Sequence, residues 1–173
     1  QLNRDLIAQQ ILEGFFHTPF SGLTWRERIS SVHNFIDPSD KIIRKGAIRA
    51  QKDELILIPL NGKDGTLVCR GKGNDDWNQS APHGAGRIMS RAAAKKTLSL
   101  LKFQQDLQGV YQTYAEESSV DEAPEAYKTP QVIMSSISPT AEILFFLKPV
   151  WNLKACRQNT KKNKKKMVVS PIG

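Results

Sequence analysis

The stretch best suited to chemistry on phosphorus is Pro82-His83-Gly84-Ala85-Gly86-Arg87-Ile88-Met89-Ser90-Arg91, a histidine followed at once by a glycine turn and two arginines. Glycines at 84 and 86 let the backbone approach a ligand closely, and free N–H groups at the start of a following helix favour an anion such as phosphate. A neutral imidazole nitrogen is a competent nucleophile. His83 can therefore attack a phosphorus held by the loop while Arg87 and Arg91 balance developing charge. On these residues alone a plain glycine-rich strand-to-helix turn that happens to carry a histidine is an equal reading, because such turns are common.

Other reactive residues point less far by themselves. His33 reads as a hydrogen-bonded structural imidazole, and His17, with no motif around it, reads the same way. Asp75-Asp76 in a Gly/Asn stretch reads as a turn. Cys69 and Cys156 are too few for a disulfide framework and have no metal-ligand spacing, so both are expected as reduced thiols. The formal charge of +8 is concentrated at one end, where Arg157, Lys161, Lys162, Lys164, Lys165 and Lys166 occur with no acid among them. The body is nearly balanced, so charge alone does not argue for RNA.

The elements that position these residues follow from periodicity. Apolar residues from Leu2 to Phe16 recur at three- and four-residue spacing, which predicts an amphipathic helix. Ile42-Ile43, Ala47-Ile48, Leu55 to Pro59 and Thr66 to Arg70 read as short strands in hairpins. Gly71 to Gly86 is a loop, and Arg87 to Lys96 has the alanine content and cationic end of a helix. Phe103 to Tyr114 is expected to be another helix, and Gln131 to Leu147 a further one, interrupted near Pro139. The expected fold class is α+β, antiparallel strands with flanking helices. At 39% apolar residues the chain can bury a core, except in its Asn/Lys-rich end, which is expected as a disordered tail. No apolar run is long enough for a membrane span and no signal peptide opens the chain, so the expected location is cytoplasmic, away from membranes. The absence of an initiator Met is read as a cut from something longer.

Taken with its neighbours, the histidine loop says more. Val32-His33-Asn34-Phe35, Arg44-Lys45-Gly46-Ala47 with Arg49-Ala50, Arg70-Gly71-x-Gly73-Asn74, His83-Gly84-Ala85-Gly86-Arg87-x-x-Ser90-Arg91, Glu122-x-Pro124-x-Ala126-Tyr127-Lys128 and Lys154 occur in that order. Together they resemble the conserved blocks of the RtcB family of GTP-dependent RNA-splicing ligases, over about Gln1 to Lys154. The resemblance implies that His83 forms a covalent guanylate with GTP and manganese, that His33 is a metal ligand, and that Asn34, Tyr127 and Lys154 contact the nucleotide. It places Pro59, Leu60, Asn61, Gly62, Thr66, Gly84, Ala85 and Gly86 around that nucleotide, and it makes Arg44, Arg87 and Arg91 RNA or phosphate contacts. The implied substrates are RNA ends bearing a 3′-phosphate or 2′,3′-cyclic phosphate and a 5′-hydroxyl, with an archease-like activator as a further partner.

Two departures stand out. The family's Pro-Gly-Ser-Met-Gly and following Ser are here Pro59-Leu60-Asn61-Gly62-Lys63-Asp64-Gly65-Thr66, as in a divergent branch. The family chain stops just beyond the lysine matched by Lys154, whereas this one continues. The remaining family metal ligands, a Cys, an Asp and two His, come from an N-terminal half, and only His17, His33 and His83 are present here. Residues 1–155 are accordingly expected as the C-terminal portion of a ligase domain, inactive unless the other half is supplied, and 156–173 as a basic tail. The alternatives are a non-catalytic RNA-binding module and a decayed fragment.

Overall fold

The computed structural model describes residues 2–22 and 29–154. The expected tail, 156–173, and Trp25 lie outside them. Among the described residues no helix is long and apolar enough to cross a membrane. The architecture is α+β with antiparallel sheets, as the hydrophobic patterning predicts. A first helix, α1 (Leu2–Gly14), leaves Leu6, Ile7, Ile11, Phe15 and Phe16 exposed, so its apolar stripe is not seated on the core.

Strands β1 (His33–Asp37), β2 (Ile42–Arg49) and β5 (Ser80–Pro82) form one antiparallel sheet in the order β1-β2-β5. Strands β3 (Leu55–Pro59), β4 (Thr66–Gly71) and β7 (Ala141–Leu147) form a second, β3-β4-β7. The β3–β4 hairpin keeps one register from Leu55↔Arg70 to Pro59↔Thr66. Its alternation buries Ile56 and Ile58 from one strand and Leu67 and Cys69 from the other. These pack with Ile48, Ala81, Ala85, Ile133 and Ile137 into the main core, which ties the histidine loop, through Ala85, to both sheets. Burial pushes the Cys69 thiol up to about 11, so it is inert at neutral pH. A smaller cluster joins Phe103, Leu107, Tyr114, Val120 and Ala123.

Three expected helices differ from those found. The helix after the histidine loop is α2 (Arg91–Thr97) and does not begin at Arg87. Ser90 caps it by accepting from the Ala93 N–H, while Arg87 pairs as a single bridge with Tyr127. The next, α3 (Leu100–Asp106), is capped by Ser99 and stops well before Tyr114. Gly109 at φ +87° turns the chain, and Tyr111–Gln112 is a short strand, β6, parallel to β8 (Trp151–Asn152). The segment from Gln131 to Leu147 divides into a helix, α4 (Pro130–Ser136), and the strand β7. The apolar run Ile143 to Leu147 suits either element by periodicity. Pairing with the exposed edge of β4 decides for a strand.

Candidate nucleotide site

Between the β3–β4 turn, the histidine loop and β8 lies an open cavity of about 600 Å³. On one side it is lined by Pro59, Leu60, Asn61, Gly62 and Thr66, and at its floor by His83, Gly84, Ala85, Gly86 and Arg87. Arg91, Tyr127 and Lys154 complete the set that sequence reasoning placed around a nucleotide and that the fold brings together.

Most of the turn acts through its backbone. Leu60 is buried in the core. The Asn61 side chain closes its own turn, accepting from the N–H groups of Lys63 and Asp64 at 2.9 and 2.8 Å and donating to Asp64. Gly65 is held at φ +84°, and an added Cβ would meet the Leu147 carbonyl at 2.1 Å, so this turn requires glycine. The Pro59 carbonyl accepts from the Ala85 N–H at 3.0 Å, fastening the histidine loop to the hairpin. Among the described residues no backbone carbonyl accepts from the N–H groups of Gly84 and Gly86, which leaves two donors for a ligand. Because α2 begins after Ser90, these amides belong to a turn and not to a helix terminus.

His83 is half-buried at this floor. Its Nδ1 lies 2.7 Å from the carbonyl oxygen of Gly46. A carbonyl only accepts, so the neutral ring carries its proton on Nδ1 and its lone pair on Nε2. That tautomer is set from across the sheet. Asn34 sits in a bulge of β1 at φ 55°, and its Oδ1 accepts from the Gly46 N–H at 2.7 Å. Asn34 thus holds Gly46, and Gly46 holds the imidazole. Replacing Asn34 by Ala frees the Gly46 amide. It is expected to slow covalent modification of His83 by roughly 10–100-fold without unfolding the chain, checked by single-turnover labelling beside a thermal melt. His33 stacks on the other side, ring centroids 5.1 Å apart and planes inclined by 18°. His33 and Asn34 reach the cavity only through His83 and Gly46, and neither lines it.

Arg44 is placed elsewhere. Its side chain is 1% exposed and packs beneath β1, pairing with Asp37 at 3.3 Å and Asp40 at 3.4 Å. It also donates to Ser80 Oγ and to the carbonyls of Asn78 and Gln79. The phosphate contact expected of Arg44 is not at this cavity, and each of its three guanidinium nitrogens is engaged inside the protein.

Three of the cavity's cations, Arg87, Arg91 and Lys154, are also partnered. Arg87 donates to the Met89 and Asp121 carbonyls and to the Tyr127 hydroxyl, and its guanidinium lies 5.0 Å from the Tyr127 ring centre. Arg91 pairs with Asp121 at 2.6 Å and with Glu122. Lys154 pairs with Glu122 at 3.2 Å, and the Tyr127 hydroxyl donates to the same carboxylate at 2.8 Å. Glu122 is therefore the hub that holds three of the expected site residues, although the sequence marked it only as the first letter of a motif. Lys148 also lines the cavity, with no ion pair among the described residues, and was missed because nothing around it forms a pattern.

Burial opposes the charge on Glu122, yet hydrogen bonds from Arg91 and Tyr127 and the nearby Lys154 hold its carboxyl below its ordinary 4.5. Asp121 is likewise held below 3.8, with burial opposing and Arg91 and Lys95 prevailing. Burial, with Glu122 alongside, pushes the Tyr127 phenol up to about 12, so it remains a hydrogen-bond donor. Lowered carboxylate values mean that the unfolded chain takes up protons first as pH falls. The stabilisation is complete above the ordinary values and is lost as pH drops through the folded ones. A melting temperature constant from neutrality down to about pH 5 and falling below that is expected, and the fall should flatten in Glu122→Gln.

Among the described residues no three His, Cys, Asp or Glu side chains come together as a metal cluster. His33 offers one imidazole. On their own these residues do not make a manganese site.

Comparison with known proteins agrees with the motifs. The family model described as tRNA-splicing ligase RtcB matches residues 1–155. The chain is 31% identical over 165 residues to an RNA-splicing ligase RtcB of Escherichia coli, covering 86% of this chain and 39% of that protein. It is 31% identical over 130 residues to RNA-splicing ligase RtcB1 of another Escherichia coli strain, covering 72% of this chain and 32% of the relative. A tRNA-splicing ligase RtcB of Aeropyrum pernix is 37% identical over 105 residues, covering 50% of this chain and 22% of the relative. The chain thus spans well under half the length of the curated relatives it matches. With the family model matched over residues 1–155, most of its length, the chain belongs to the RtcB family.

Proposed function

We propose that this chain carries the nucleotidyl-transfer centre of an RNA ligase, in which His83 takes GMP from GTP and passes it to an RNA 3′-phosphate. The observation that carries the reading is the Nδ1 contact with Gly46, which leaves an Nε2 lone pair on a ring beside two unpaired glycine amides. The Nε2 lone pair attacks the α-phosphorus of GTP. A P–N bond forms, the bond from the α-phosphorus to the bridging oxygen breaks, and pyrophosphate leaves with that electron pair. The Nδ1 proton stays in place, and the Gly46 carbonyl stabilises the positive charge on the modified ring. The RNA 3′-phosphate then displaces the histidine, and a 5′-hydroxyl displaces GMP to close the strand.

Positioning dominates transfers of this kind. The amides of Gly84 and Gly86 face the phosphates, and Arg91 exchanges its carboxylate partners for them. Lys154 and Tyr127 are assigned to the nucleoside. Manganese is the expected ion. It would draw most of its ligands from a preceding half-domain of the kind the family carries, so the chain alone is expected to be inactive. An archease-like activator and cytoplasmic RNA repair or tRNA processing belong to the same reading.

Incubation with α-labelled GTP and manganese, with and without an N-terminal half supplied in trans, tests it. Label on the protein only when both halves are present agrees with the reading. Salt-sensitive RNA binding with no label under either condition points to a non-catalytic binding module.

A further inference from the structure

Three aromatic rings line the His83 cavity, and they differ in what they have left to offer. The His83 ring is stacked against His33. Tyr127 has the Arg87 guanidinium over its ring at 5.0 Å, both bonds of its hydroxyl engaged, and its body packed on the main core. Trp151 is 48% exposed. Among the described residues nothing stacks on its indole or accepts from its N–H.

The strand that carries Trp151 is nonetheless fixed. Asn152 donates from Nδ2 to the Gly62 carbonyl at 2.7 Å, tying β8 to the turn on the cavity's other side. The Tyr111 N–H donates to the Val150 carbonyl at 3.0 Å. Lys154 then reaches across to Glu122. A large, uncovered two-ring π-face is thus held on a tethered strand at the wall of a polar cavity. Nucleobases stack on such faces whatever their sequence, and a fused purine overlaps an indole more fully than a pyrimidine does.

We propose that Trp151 is the stacking platform for the purine base of the nucleotide that His83 attacks. The inference rests on the nucleotide reading above and assigns that nucleotide's base to a residue the family motifs do not mark. It places the phosphates on the glycine floor and the base on β8, with Lys154 beside it.

The test uses the full chain and a GTP analogue whose α,β-bridging oxygen is a methylene, so that binding is read without transfer. Trp151→Ala is expected to weaken analogue binding in calorimetry by about ten-fold or more, and Trp151→Phe to stay within about three-fold of wild type. Trp77→Ala, at an exposed tryptophan outside this cavity, is expected to bind as wild type does and to keep the fluorescence quench that Trp151→Phe loses. Unchanged affinity in Trp151→Ala overturns the proposal. So does a loss confined to a single-stranded RNA oligonucleotide, which would assign the ring to the substrate strand. A wild-type chain that does not bind the analogue overturns both this and the nucleotide reading. Trp151-dependent binding with no label ever reaching His83 from GTP supports the platform and removes the covalent step alone.

Discussion

Replacing His83 by Ala is expected to reduce protein labelling from α-labelled GTP to background, with the N-terminal half supplied, while changing the melting temperature little. The asymmetry follows from the ring's surroundings. His83 is half-buried and among the described residues makes one side-chain hydrogen bond, to the Gly46 carbonyl, so its removal takes away little packing. Among the described residues, it takes away the one side-chain nitrogen on the cavity floor suited to forming the P–N bond. Of the other floor residues, Gly84, Ala85 and Gly86 carry no side-chain nucleophile, and the Arg87 guanidinium is charged. His83→Asn, which retains a polar group, should be as inactive as the alanine variant, and both should still bind the methylene analogue. Labelling that persists in either variant would require another nucleophile.

The second large effect concerns stability. Arg44→Ala is expected to cost about 3 kcal/mol, the low end for breaking a buried pair, because Asp37 loses its buried partner but keeps Arg49 at 3.6 Å and the Ser39 hydroxyl. For a chain of this size that corresponds to a fall in melting temperature on the order of 10 °C. Arg44→Lys should recover only part of it, since an ammonium cannot reach Asp37, Asp40, Ser80 and two backbone carbonyls at once. A direct phosphate contact at Arg44 predicts the reverse pattern, with unchanged melting and weaker analogue binding. Parallel melts and calorimetry on the two variants separate the two roles.

Arg44 also shows where the sequence stops being informative. Its block is a good family match, and an arginine in such a block invites assignment to a phosphate. Its fate is decided by acids at 37 and 40 and by backbone carbonyls at 78 and 79, which only the folded sheet brings beneath β1. The histidine loop was legible for the opposite reason. His83, Gly84, Ala85 and Gly86 are contiguous, so their joint presence at one cavity needs no long-range pairing.

Element boundaries fell between these cases. Ser90 caps a helix inside the stretch expected as helical from Arg87, and Ser99 caps one that begins before the expected Phe103, so a capping serine before each helix is a usable signal. The strand β7 was hidden because Ile143 to Leu147 is apolar without a distinguishing period, and only its pairing with β4 decides it. Glu122 and Trp151 were not singled out because their roles depend on partners far along the chain. Glu122 gathers Arg91, Tyr127 and Lys154, and Trp151 sits on a strand of two residues that no periodicity reveals.

The most direct test of the central claim is to locate the adduct. After reaction with GTP, manganese and the N-terminal half, proteolysis and mass spectrometry should find GMP on the peptide containing His83. Fragmentation should assign it to the imidazole, and the bond should be cleaved by acid and survive alkali. GMP mapped to Lys148 or Lys154, or a peptide containing His83 that remains unmodified while RNA ends are joined, would contradict the account.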